Sequence, residues 1–275
     1  MTAPVAGVGV SPDSLDLYQS SAELVDFINP VIIFGHNDDL DSGTLPETLI
    51  PWGGLYSFPA AAGTISIVSA SANDASNGTG ARTLTITGLD SNWGVQEKTY
   101  TLNGTTPVVT SDTWLRVNKV HVTTVGSGGV NAGTITFTHS NTSALCAQIN
   151  ANEGCSHACV YSVPNNYTFF IARVESHLTK LAGDQAGEVA MYRRNGEGGP
   201  LWQCFKLGIH TKASTILDLN QVSLYYIREK SDVYVNCTSV TTDSVTVTAM
   251  VRGMIVRNDV LSSVISMFNS SCLDT

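Results

Sequence analysis

Charge is what this chain has least of. Only 13% of its 275 residues are Asp, Glu, Lys or Arg, roughly half the usual share. The 14 Lys and Arg are scattered, and binding phosphates needs a clustered positive footprint, so nucleic acid is not an expected partner. No apolar run reaches the ~20 residues of a membrane-spanning helix, so no membrane is expected either. Met1-Thr2-Ala3-Pro4 has neither a basic n-region nor an apolar h-region, and no secretion signal is expected. Neither G-x-S-x-G nor H-E-x-x-H occurs. What is there is 43% hydrophobic residues, a net charge of −9 and abundant Thr, Ser, Asn and Gly. That hydrophobic share excludes a disordered chain. The composition describes an acidic strand former long enough to bury a core without disulfides.

The six cysteines are Cys146, Cys155, Cys159, Cys204, Cys237 and Cys272. Gly154-Cys155-Ser156-His157-Ala158-Cys159, with Cys146 upstream, could ligate zinc or form a local disulfide, but no second CxxC or HxxxH supplies the other half of a structural zinc site. Reduced, partly buried thiols are the plainer expectation. His36-Asn37-Asp38-Asp39-Leu40-Asp41-Ser42-Gly43 is the densest acidic patch. As a calcium loop starting at Asn37 it has Ser42 where Gly belongs and Thr48 where Glu belongs, so it reads as an acidic turn. Gly78-Thr79-Gly80-Ala81-Arg82 leads into a strand and lacks Lys, unlike a phosphate loop. The histidines His36, His121, His139, His157, His177 and His210 lie far apart in sequence, and His121 falls on a strand face. No catalytic, cofactor-binding or metal-ligating set is assigned, no cofactor is expected, and the chain is read as a non-enzyme. Six N-x-S/T sequons are by-products of the composition.

The expected fold is all-β: tandem β-sandwich or jelly-roll modules behind an extended N-terminal arm. Residues 1–62 form the arm, 63–163 a β-sandwich and 164–275 a jelly-roll-like domain. Within the arm, Ser20-Ser21-Ala22-Glu23 has capping-box spacing for one short helix, stopped at Asn29-Pro30. Pro46, Pro51 and Pro59 make the remainder of the arm extended and turn-rich. From Gly63 alternation takes over. Thr64–Ser69 and Arg82–Thr87 alternate, and Asn77-Gly78 between them is a strong hairpin signal. Further strands are expected at Lys98–Leu102, Trp114–Val125, Gly133–Thr138, Tyr167–Val174, Glu188–Arg193, Leu201–Thr211, Gln221–Arg228, Asp232–Thr238 and Ser244–Val256. The run 245–251 puts Val on one face and Thr or Met on the other. The tail Val260–Phe268 suits a short amphipathic helix or an added strand.

One ordered string goes beyond composition: Phe34-Gly35-His36-Asn37-Asp38-Asp39, Trp52-Gly53-Gly54-Leu55-Tyr56-Ser57-Phe58-Pro59, Ile67–Asp74, Gly78–Thr83, Gly88-Leu89-Asp90, Leu102–Val108, Arg116-Val117 and Asn131–Ile135. It resembles a family of virion structural proteins widespread in tailed phages, especially marine and cyanobacterial ones, over roughly residues 33–175. Where that family often has a basic residue before an Asn-Pro-Asp type turn, this chain has His36-Asn37-Asp38. The C-terminal strands after Glu229-Lys230 look like jelly-roll modules of phage decorations and fibres. The resemblance implies localisation in the virion and a symmetric homo-oligomer, a trimer. It would be docked on the major capsid protein or on neck or tail proteins as a capsid decoration or head/neck protein. A tail fibre or spike binding host glycan is the alternative, with Trp93, Trp114, Trp202, Tyr192 and Tyr225 as the available aromatic platforms.

Overall fold

The computed structural model describes residues 28–180, 183–219, 225–263 and 265, and over them the chain is almost entirely antiparallel β. β1 (Ile28–Leu40) and β2 (Glu47–Thr48) come first. β3 (Ile65–Ser69), β4 (Ala81–Leu89), β5 (Val95–Thr101), β6 (Val108–Val109), β7 (Arg116–Val125), β8 (Ile135–His139) and β9 (Leu145–Ile149) follow. β10 (Val160–Ser162), β11 (Tyr167–Thr179), β12 (Ala186–Asn195), β13 (Leu201–His210), β14 (Thr215–Asp218), β15 (Tyr225–Ile227), β16 (Ser231–Val240) and β17 (Val245–Arg257) complete the series. Alternation drives the burial: Val245, Val247, Ala249 and Val251 are buried, while Thr246, Thr248 and Met250 between them are half-buried on the other face.

The strands build two sandwiches. In the first, β1-β17-β11-β14, with β15 also on β11, faces β10-β16-β12-β13. Phe169, Ile171, Val174 and Val251 from one sheet meet Val189, Met191, Val233 and Val235 from the other in a single core. Numbered along this sandwich alone, with β14 and β15 as one interrupted strand, the sheets run 1-8-3-6 and 2-7-4-5. That is the order of a jelly roll. In the second sandwich β6-β3-β8-β9 faces β5-β4-β7 around Ile65, Ile67, Leu84, Ile86, Trp114 and Phe137.

The chain joins the two sandwiches by nesting: the second is inserted between the first and second strands of the jelly roll. The outgoing and returning segments lie side by side. Cys159 N–H donates to Leu49 O at 2.9 Å, and β2 and β10 both pair with β16. A module whose two ends are this close can be inserted without disturbing its host.

Where sequence and structure differ, the reasons are physical. From Ile28 onward the segment read as an arm is part of the body. β1 pairs with β17 from Ile28↔Val256 to Leu40↔Val245 and buries Ile33 and Leu40 in the jelly-roll core. Its alternation is masked by Pro30, Gly35 and the polar run from His36, tolerable because β1 is an edge strand. The expected β3–β4 hairpin does not form: β3 pairs with β6 and β8, and β4 with β5 and β7. Asn77-Gly78 instead lies in a loop folded round Asp74, where Gly78 N–H donates to Ala75 O and Gly80 N–H to Asn73 O. Before Ile28 the expected Ser20 helix lies outside the described residues, as does Cys272. Of the tail, Asn258–Val260 is a 3-10 turn running into helix at 261–263 and 265, and Val260, Leu261 and Ile265 pack on Phe170 and Val256.

Candidate functional site

The most heavily built polar site joins the two sandwiches. β7 delivers Arg116 and β16 delivers Asp232, and both are buried. Arg116 Nε donates to Asp232 Oδ1 at 2.8 Å and Nη2 to Oδ2 at 2.9 Å. Nη1 donates to Pro59 O at 2.6 Å and Leu115 O at 2.9 Å. Ser162 Oγ donates to Asp232 Oδ1 at 2.6 Å, and Arg194 Nε stands 3.6 Å from Oδ2. The guanidinium carbon lies 4.8 Å from the Trp93 ring centre and 5.4 Å from that of Phe58. A planar fork that donates bidentately and stacks on aromatics is what Arg supplies and Lys cannot. Trp93 is packed from the jelly-roll side as well: Asn165 N–H donates to its carbonyl, and a Cβ on Gly196 would come within 2.0 Å of its ring. Next to this junction Tyr56 Oη donates to Cys146 O at 3.2 Å, and burial pushes its phenol well above its ordinary pKa.

From Arg194 outward the site opens into a groove of about 740 Å³. It is bounded by the β12–β13 turn, the β15–β16 turn, the start of β11 and the helical segment after β17. Arg193, Arg194, Arg228 and Lys230 line it, with Glu197 and Glu229. Both acids are engaged: Glu197 pairs with Lys230 at 2.9 Å, and Glu229 accepts the Asn166 N–H at 2.5 Å. Trp202 and Tyr226 stand at the groove 58% and 47% exposed. Leu201, 55% exposed, begins β13 with Trp202 next to it, and among the described residues β13 is laddered to a neighbouring strand, β12, on one side only. The arrangement offers an open strand edge with apolar side chains next to a basic hollow, on a chain of net charge −9.

The five aromatics considered as platforms separate here. Trp93 and Trp114 are buried, Tyr192 is stacked on Tyr234, and Tyr225 is half-buried against the core. Trp202 alone among them is an exposed surface; Tyr226, its companion at the groove, carries no signal in sequence beyond an aromatic in a strand. The five described cysteines form no disulfide. Burial pushes the thiols of Cys146, Cys159 and Cys237 up to about 12. The acidic turn after β1 is used internally: Asp41 accepts the Ser244 N–H at 2.8 Å, and Asp243 accepts the Ser42 N–H at 2.8 Å. His121 is half-buried and bridges to Cys155. His36 and the Cys155–Cys159 segment, far apart in sequence, are brought together. Asn73 and Asp74, Ala81, and Ala132 and Gly133 also converge, and Asp74 is their centre.

No protein-family model matches the chain, and no curated protein does. Among solved structures, the chain aligns to infectious bursal disease virus, Gt strain, at 11% identity over 83% of this chain and 72% of that one, with a TM-score of 0.21. A VP2 subviral particle of infectious bursal disease virus aligns at 8% identity over 90% and 75%, with a TM-score of 0.18. The functional reading therefore rests on this chain's own residues.

Proposed function

We propose that the chain is a non-enzymatic structural component of a phage virion, a capsid decoration or head/neck protein working as a symmetric homotrimer. The observation that carries this is the open β13 edge with Leu201 and Trp202 exposed beside a basic groove. A long apolar strand edge is a template for pairing with another chain, and proteins that keep one unpaired in isolation cover it by assembly. The favoured occupant is a second copy, because the arginines at the groove, Arg193 and Arg228 foremost, complement the acidic surface the chain carries elsewhere, Asp38 and Asp39 among it. The groove and edge thus serve as a subunit contact, and the assembled oligomer docks on the capsid or neck.

Light scattering on the purified chain tests this, followed by mixing with tail-less and tailed particles. The expected result is a trimer that binds particles, and a Leu201→Glu/Trp202→Glu variant that keeps its circular dichroism but runs as a monomer. A wild-type monomer that binds neither kind of particle overturns the proposal. A second reading has one observation in its favour: Trp202 and Tyr226 beside Arg193 form an aromatic and cationic platform of the kind that stacks on sugars. An oligomer that joins only the tail and retains a glycan on an array, lost in Trp202→Glu, would select it.

A further inference from the structure

We propose that His36, Glu153 and His157 form a binding site for one zinc-type divalent transition-metal ion that clips the inserted sandwich to the jelly roll. One ligand atom from each lies within 4.8 Å of the other two. His157 Nδ1 is 3.1 Å from Glu153 Oε2, and His36 Nε2 is 4.0 Å from Glu153 Oε1. Tetrahedral coordination at zinc distances puts ligand atoms about 3.3 Å apart, so a closing movement on the order of 1 Å by His36 completes the set. Two imidazoles and a carboxylate suit a borderline ion such as zinc, whereas calcium selects oxygen.

The surroundings are those of a built site. His36 Nδ1 lies 3.0 Å from Asp38 Oδ1, the carboxylate–histidine pairing that fixes a ring's tautomer and turns the other nitrogen's lone pair toward a metal. Glu153 Oε2 is shielded from solvent and faces His157 Nδ1 at 3.1 Å, so the imidazole and carboxylate already point at one another where a cation would sit. Asn150 Nδ2 donates to Glu153 Oε1 at 3.3 Å, and buried Asn131 holds the loop, accepting from Gly154 N–H at 2.9 Å and donating to Asn150 O at 2.8 Å. Phe34 stands edge-on to His157 with ring centres 5.1 Å apart. The strand carrying His36 is drawn close to the returning segment at Gly35, where a Cβ would come within 2.1 Å of Cys159 N. His36 comes from the first jelly-roll strand and Glu153 from the last loop of the insert, so an ion held by both ties the modules together. Three protein ligands leave a fourth position for water.

The test uses the whole chain after washing with EDTA. Titration with Co2+ should give visible ligand-field absorption saturating at one equivalent and displaced by Zn2+, and Zn2+ should raise the unfolding temperature. His36→Asn and His157→Gln should abolish the absorption, and Asp38→Asn should weaken binding about ten-fold. On the unmodified chain, Zn2+ should protect His36 and His157 together from diethyl pyrocarbonate, read by peptide mass spectrometry, which does not depend on any variant folding. Co2+ binding no tighter than in the His36→Asn/His157→Gln double variant, or histidines modified equally with and without Zn2+, overturns the proposal. A site filled by Ca2+ but not by Co2+ or Zn2+ overturns it as well.

Discussion

Asp74 is fully buried, and a carboxylate in such a place is tolerable only when donors converge on it. Here four do. Ser69 Oγ donates to Oδ2 at 2.6 Å and Gly133 N–H to the same oxygen at 2.9 Å, while the N–H groups of Ala81 and Ala132 reach Oδ1 at 2.7 and 2.8 Å. These donors belong to the end of β3, the start of β4 and the approach to β8, so one side chain sets how the two sheets of the insert meet. Asp74→Ala strands three backbone N–H groups and should cost about 3 kcal/mol or more, measured as a lowered urea midpoint. Asp74→Asn should recover only part of the loss, because its amide nitrogen would face donors. In sequence, Asp74 looks like ordinary turn chemistry; nothing local distinguishes a carboxylate that caps its own turn from one that serves segments 58 residues away.

At the level of elements, what is legible in the sequence comes from period. β4, β7 and β17 carry alternation in sequence and form strands where it puts them, while β1 and β2 carry no such signal. β2 is only two residues long, and its stability comes from a side chain. Glu47 accepts from Asn37 Nδ2 at 3.0 Å, Thr44 Oγ1 at 2.6 Å and Gly54 N–H at 2.7 Å, stitching β1 to the outgoing connector. Burial pushes the Glu47 carboxyl up, but the hydrogen bonds from Thr44, Gly54 and Asn37 outweigh it and hold it below the ordinary value. A group whose pKa is lowered by folding stabilises the fold fully above its unfolded pKa, near 4.5. That contribution is lost as the pH falls through the lowered folded value. Acid titration of stability should therefore be shallower in Glu47→Gln than in wild type below about pH 4.5, and the two slopes should coincide above pH 6. The absent β3–β4 hairpin has the same lesson from the other side. An Asn-Gly dipeptide reports a turn, and which strands that turn brings together depends on contacts no local pattern encodes.

Across the whole molecule, nesting asks how two separate cores behave as one. Each sandwich buries its own apolar set, and among the described residues the polar contact that spans them most completely is Arg116–Asp232. Taking one partner from a buried, hydrogen-bonded ion pair typically costs 3–5 kcal/mol, because the remaining charge has nowhere to go. In Arg116→Met the stranded group is Asp232, which still has Ser162 and Arg194 but loses its bidentate donor. The insert also loses its grip on Pro59 O, the carbonyl that fixes the outgoing connector. Both cores should survive this change, since neither contains Arg116. The wild-type chain should unfold in a single calorimetric transition and Arg116→Met in two, the insert and the jelly roll melting apart. Replacing both partners, Arg116→Met with Asp232→Leu, removes the stranded charge and should restore most of the lost stability while leaving the two transitions separate. Were Arg116→Met to melt in one transition at an unchanged temperature, the coupling would have to reside in the other contacts between the modules, such as Trp93 against Asn165 and Gly196.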